Sequence, residues 1–282
     1  MPQNTDYMMP LLSDADYRKA DGISNSMLSD FAKTPAFYHA KHIAGMIESP
    51  DTDTFRFGRL VHASVLESDN YIKATEILPN VNARTKEGKQ TIENFKQEND
   101  GKQFITEDEN LIINRITASV YNHPSAKRLL DDSEFKEMSF FWKDKETGLQ
   151  LKARVDAFSE KHKIISDLKT TSNAGKYEFI KSAFSFRYHV QAAFYIEALK
   201  SCIDESDRDF TFIAVEKSAP YLVATYFATQ EQLELGRAIM RQELQALANC
   251  YEKDIWAGYS DKLEELGLPY WASKAYSEQG II

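Results

Sequence analysis

The stretch LKARVDAFSEKHKIISDLKTT, from Leu151 to Thr171, constrains the fold more than any other part of the chain. LKARVDAF alternates in type, SEKHK is polar, and IISDLK resumes with β-branched residues, so the run predicts two antiparallel strands joined by a tight turn. With the turn centred between Lys161 and His162, Asp156 falls opposite Asp167. Directly opposed residues have Cβ atoms about 4.5–5.5 Å apart. Carboxylates that close repel each other unless a cation lies between them. Lys169 stands two positions beyond Asp167 and therefore on the same face. An acid pair beside an ammonium, carried on rigid strands, suits a divalent-metal site that activates water against a phosphodiester. Alone, Asp-x-Lys is short and common, and on most strands it marks a solvated face. The rest of the chain has to decide between the two.

The neighbouring sequence extends the sheet. KEMSFFWKD, the turn KETG and LQLKARVDAF form a preceding hairpin, so three strands make an antiparallel meander. A turn centre near Glu146–Thr147 brings Glu137 level with Asp156, which would put three acids in one row; a slip of one residue would turn Glu137 to the other face. After TTSN come two helices, AGKYEFIKSAF and FRYHVQAAFYIEALKS. On the second, Tyr188, Gln191 and Tyr195 share one face, while Val190, Phe194 and Ala198 occupy a neighbouring one suited to the core. DFTFIAVEKS and PYLVATYFAT read as two more strands, and a long helix comes next, from about Gln230 to Ala257.

The N-terminal part reads as helical. Ser24 can cap a helix from Asn25 to Ala32, and Pro35 can open the next. DTDTFRFGRLVHASVLESDNY predicts a helix with Leu60, Val61, Val65 and Leu66 inward and His62 beside that stripe, a position that fits a structural histidine as well as a ligand. Arg56 and Arg59 on this helix, and Arg84, Lys86 and Lys89 beyond it, suit either phosphate contact or a solvated surface. Thr106 with Glu109 forms a capping box for a helix to about Tyr121, and His123-Pro124 ends it. The resulting class is α+β (mixed α/β): a central mixed sheet with an antiparallel meander, flanked by helices. Residues 1–22 lack periodicity and predict a flexible arm. Residues 23–282 predict a single domain with a helical part (23–135), a sheet with flanking helices (136–257) and a C-terminal tail (258–282).

Composition narrows the classes. No apolar run approaches a membrane span, and the N-terminus has no basic region leading into an apolar core. Cys202 and Cys250 are too few and too far apart for a disulfide framework or a zinc site, so a reducing cytoplasm is the expected setting. The net charge of −9 argues against generic nucleic-acid binding. Between Lys152 and Lys200, however, basic residues outnumber acids, and a local basic channel on an acidic body can hold DNA through its phosphates.

Taken in order, GRLVHASVLE, NARTKEGK, GKQFIT, KETG, RVDA, DLKTT and FRYHVQAAFY resemble the PD-(D/E)XK nuclease superfamily. Within it the likeness is to the RecB-like branch, and there to the C-terminal nuclease domain of the exodeoxyribonuclease VIII (RecE) family. Each motif is weak, but their order and spacing together are specific, and they cover the chain from about Ile23 to the last strands. The resemblance implies a restriction-endonuclease-like core. It places metal ligands at His62, Asp156, Asp167 and the carbonyl of Leu168, the catalytic lysine at Lys169, and a Gln-x-x-x-Tyr pair at Gln191 and Tyr195. Glu137 would support a ligand or a water. Val155 stands where the motif's name has Pro. The implied cofactor is Mg²⁺, with Mn²⁺ able to substitute because imidazole suits it better. The implied activity is exonucleolytic hydrolysis of linear double-stranded DNA, 5′ to 3′, leaving 3′ single-stranded tails for a single-strand annealing partner in recombination. A homo-oligomeric ring around the substrate and a phage or mobile-element setting are implied as well. Two alternatives share the fold: a catalytically inactive DNA-binding protein and an endonuclease.

Overall fold

The computed structural model of the protein describes residues 7–9, 12–48 and 52–281. The chain begins with strand β1 (Tyr7–Met9) and helices α1 (Asp14–Lys19), α2 (Asn25–Phe31) and α3 (Pro35–Tyr38), the last running into a π-helical turn over His39–Ile43. Then come α4 (Asp53–Leu66), α5 (Ser68–Ala74), β2 (Thr75–Ile77), α6 (Lys86–Glu98), β3 (Gln103–Ile105), α7 (Glu107–Asn122) and α8 (Pro124–Asp131). The C-terminal half comprises β4 (Phe135–Lys143), β5 (Gln150–Ser159), β6 (Ile164–Thr171), α9 (Lys176–Ser185), α10 (Tyr188–Cys202), β7 (Asp209–Glu216), β8 (Val223–Phe227), α11 (Gln230–Lys253) and α12 (Tyr270–Glu278).

Six strands form one sheet in the order β1-β4-β5-β6-β7-β8, and β2 and β3 form a small parallel pair. The β4–β5–β6 meander is antiparallel, β6 pairs in parallel with β7, and β8 returns antiparallel. The sheet is therefore mixed, as the sequence predicts. Alternation along β7 shows why it is covered on both sides. Phe210, Phe212 and Ala214 join a core with α2, α10 and α11, whereas Ile213 and Val215 join a second core with α4 and α7. Local signals set the helix starts: Ser24, Thr52 and Thr85 each accept a hydrogen bond from the first turn they precede. Thr106 and Thr229 form full capping boxes.

α10 lies unusually close to α11. A Cβ at Gly236 would come within 2.0 Å of the His189 carbonyl oxygen, so only glycine permits this approach. Arg187, in the left-handed region just before α10, reinforces the contact with two bonds to Glu243 at 2.5 and 2.6 Å. The helix carrying Gln191 and Tyr195 is thereby fixed over the sheet.

The described part of the N-terminal arm carries regular structure. Residues 7–9 pair with β4 as an edge strand, and Tyr7 stacks on Phe141 at 5.0 Å. Two cations of β5 then hold the segment from Leu12 to Ala20. Lys152 Nζ donates to the carbonyls of Tyr17, Arg18 and Ala20 at 3.1, 3.3 and 2.5 Å, and Arg154 to those of Leu12 and Ser13 at 2.9 and 3.2 Å. This tie is made by side chain to backbone from a distant strand, so it leaves no periodicity in the arm itself. It also commits two residues that, by sequence, count toward a basic channel.

Candidate active site

β5 and β6 pair as Ser159–Ile164, Phe158–Ile165 and Ala157–Ser166, which centres their turn between Lys161 and His162. Continuing that register sets Asp156 level with Asp167. The ladder stops one step short of them. There the Asp156 carboxylate, rather than a β5 carbonyl, accepts the Leu168 N–H at 2.8 Å. A side chain is thus wedged between the strands, and the slot it opens is the site.

Three elements converge on the slot. Gly58 of α4 sits over Thr170, with space for only an ordinary contact at 3.8 Å, and one turn later His62 reaches the Leu168 backbone. Its Nδ1 lies 3.5 Å from Asp156 Oδ2. β4 contributes Glu137. Lys136 pairs with Ala157 and Met138 with Val155, yet Glu137 between them has φ of 50°, in the left-handed region that a non-glycine residue enters at a cost. One donor atom each from His62, Glu137 and Asp156 then lies within 4.8 Å of the others. From the opposite side α10 supplies Gln191, whose amide donates to Asp167 Oδ1 at 3.2 Å and to the Tyr195 hydroxyl at 3.0 Å.

Asp167 and Lys169 form a direct ion pair, both shielded from solvent. Burial pushes the Asp167 carboxyl up to about 6, with the nearby Asp156 adding to it and Lys169 opposing. Asp156 is raised as well, chiefly by burial, although Lys169 and the Leu168 N–H favour its ionised form. Burial pulls the Lys169 ammonium down, but Asp167 and Asp156 outweigh it and its pKa is raised. His62 is pushed down to about 4 by burial and by Lys169, so its ring is neutral near pH 7 and has a lone pair to offer. Tyr195 stays a phenol, held well above its usual range by burial and the two aspartates.

One nitrogen and two carboxylate oxygens, mutually close, with the imidazole neutral, fit a divalent cation. On sequence grounds the cation lies between Asp156 and Asp167, with Glu137 in support. The structure brings Glu137 together with His62 and Asp156, and Asp167 beside them pairs with Lys169 and Gln191. Gln191 bonds to Asp167 and to Tyr195, a pairing along one helix face that the sequence foretells without naming Asp167 as the partner. The β4–β5 register sets Glu137 level with Asp156, as the turn centre near Glu146–Thr147 predicts, while its left-handed backbone is something residue spacing does not encode. Elsewhere, Arg56 is tied to Glu109, and Arg84, Lys86 and Lys89 are exposed at and before the first turns of α6.

The mixed sheet thus carries an acid–histidine cluster with an adjacent Asp-x-Lys. Residues 24–268 match the family described as a PDDEXK-like domain of unknown function (DUF3799), and the chain belongs to that family. In fold it is similar to the crystal structure of a protein from Eubacterium rectale named "putative exonuclease", with a TM-score of 0.60 over 94% of this chain and 98% of that one at 14% identity. A second structure, SSO0001, aligns over 48% of this chain and 67% of its own at 14% identity, with a TM-score of 0.27 that carries no argument. No sequence among curated proteins matches. Family and site together support a nuclease. No helix among the described residues is long and apolar enough to cross a membrane.

Proposed function

We propose that the protein is a metal-dependent deoxyribonuclease that degrades linear double-stranded DNA from an end. The observation that supports it best is the donor trio of His62, Glu137 and Asp156 set beside the Asp167–Lys169 pair. When bound, a divalent ion supplies a Lewis acid for the phosphate and lowers the pKa of attacking water. Mg²⁺ or Mn²⁺ would be held by the trio, with Asp167 and the Leu168 carbonyl within the same slot. Lys169 is kept cationic by the two aspartates, which suits it to stabilise charge developing on the scissile phosphate rather than to take a proton. Asp167 holds that ammonium in place, and Gln191 orients Asp167.

The polarity we infer is 5′ to 3′, leaving 3′ tails for a single-strand annealing partner, and we infer a homo-oligomeric ring around the duplex; both rest on the likeness to exodeoxyribonuclease VIII. The test is incubation of end-labelled linear and covalently closed circular duplex with Mg²⁺ or Mn²⁺. Loss of label from linear DNA with intact circles is the expected result. Nicked circles would make the protein an endonuclease, and untouched DNA of both kinds would overturn the reading.

A further inference from the structure

α9 and the turn after it carry an aromatic face that the core does not use. Phe179 and Ala183 point inward, while Tyr177, Ile180 and Phe184 share the other side and are 72%, 48% and 60% exposed. Phe186, in the turn before α10, is 67% exposed. Aromatic residues are indifferent helix formers, so helix stability gives no reason for them here. Adjoining exposed apolar side chains mark a surface that something covers.

One end of this surface reaches the candidate active site. The Lys169 ammonium lies 4.6 Å from the centroid of the Tyr188 ring. Tyr188 in turn stacks on Phe186, centroids 5.9 Å apart and planes at 26°. Alongside, Phe184 stacks on His189 at 4.8 Å and 11°. Two contacts therefore lead from the lysine to a ring face open to solvent. Further out, the Lys181 ammonium sits 4.1 Å over Tyr177 and pairs with Glu178 at 3.1 Å. That pair is exposed, worth little, and readily exchanged for a phosphate. Aromatic rings interleaved with ammonium groups are how proteins hold single strands, with bases stacked on rings and the backbone along the cations. Within a duplex both faces of an interior base are already stacked, so only an unpaired or terminal base can use such a platform.

Resting on the nuclease reading, we propose that Phe186, backed by Tyr188 and extended by Phe184 and Tyr177, stacks unpaired bases of the strand whose scissile phosphate lies at Lys169. The site would then act on a strand already parted from its complement at the duplex end.

The test uses the full chain without metal, in EDTA, and DNA bearing 2-aminopurine at each of the three terminal nucleotides, as single strands and as frayed duplexes. Binding should quench the fluorescence in the unaltered protein and in Phe186→Tyr. Phe186→Ala should remove the quench at one position and weaken single-strand affinity about tenfold, as loss of one base–aromatic stack does. Tyr177→Ala should act at a different position. Unchanged quench and affinity in both alanine variants would overturn the proposal. So would sedimentation showing that Phe186→Ala breaks an oligomer into monomers, since the face would then belong to a second copy. The two readings separate cleanly. Quench without cleavage in Mn²⁺ sinks the nuclease reading alone, and cleavage without quench sinks the platform alone.

Discussion

Two clusters of charge lie along the same pair of strands and are built in opposite ways. At the β5–β6 turn, Lys163 pairs with Glu160 and Asp204 at 2.8 and 2.9 Å, and the buried Arg208 pairs with the same two acids at 2.9 and 3.0 Å. The Lys163 and Ser206 bonds hold the Asp204 carboxyl well below the usual carboxylate range. A few residues along, Asp156 and Asp167 both draw on Lys169, and burial pushes both carboxyls upward. One cluster is neutralised by its own side chains and serves as a clasp. The other carries excess acid in a buried slot, where a divalent ion would relieve it. Proximity of acids alone does not distinguish the two; the balance of charge does.

The comparison breaks most sharply at the lysines and arginines. Lys169→Ala should lower kcat on linear duplex by about 10²–10³-fold or more, with the fold kept by circular dichroism, because a charge-stabilising group is lost. Full activity in that variant would remove the proposed role. Saturating Mn²⁺ should raise the melting temperature by about 5 °C, corresponding to about 2.7 kcal/mol at a hundredfold excess over Kd. Asp156→Asn should raise the metal-free melt and abolish the metal response, whereas changes at the clasp should leave that response intact. Arg208→Met should do the reverse of Lys169→Ala. It should lower the melt by on the order of 5 °C while cleavage survives, since a buried cation between two acids is removed.

Acidity sharpens the contrast further. Asp167, raised to about 6, adds stability that is full below its unfolded value near pH 4 and lost as pH rises through about 6. His62, lowered to about 4, adds stability present above about pH 6.5 and lost as pH falls through about 4. Protonation of Asp167, beside the donor trio, takes a negative charge out of the slot, so the Mn²⁺-induced rise in melting temperature should be smaller at pH 5 than at pH 7.5. A midpoint near 4 would assign the control to His62 instead. The smallest effect is expected of Gln191→Ala, which removes one bond to Asp167 and should slow cleavage about fivefold, corresponding to about 1 kcal/mol.

The meander, its turn centres and the capped helices are legible in the sequence because alternation, turn residues and capping boxes are local signals. The level placement of Asp156 and Asp167 comes from the turn alone. Three features are not legible there. Asp156 displaces a ladder bond, Glu137 adopts a left-handed backbone, and the arm is tied down by Lys152 and Arg154 from another strand. Each depends on where a side chain lands after the sheet has formed, which no window of sequence contains.

The docking of residues 7–9 has a practical side. β4 carries Phe140, Phe141 and Trp142 in succession, and β1 occupies its free hydrogen-bonding edge. A version of the protein trimmed to start at Ile23 would bare that edge with the Tyr7 ring gone from Phe141. Such an uncovered apolar strand is a template for pairing between chains, and clumping during expression would be its signature.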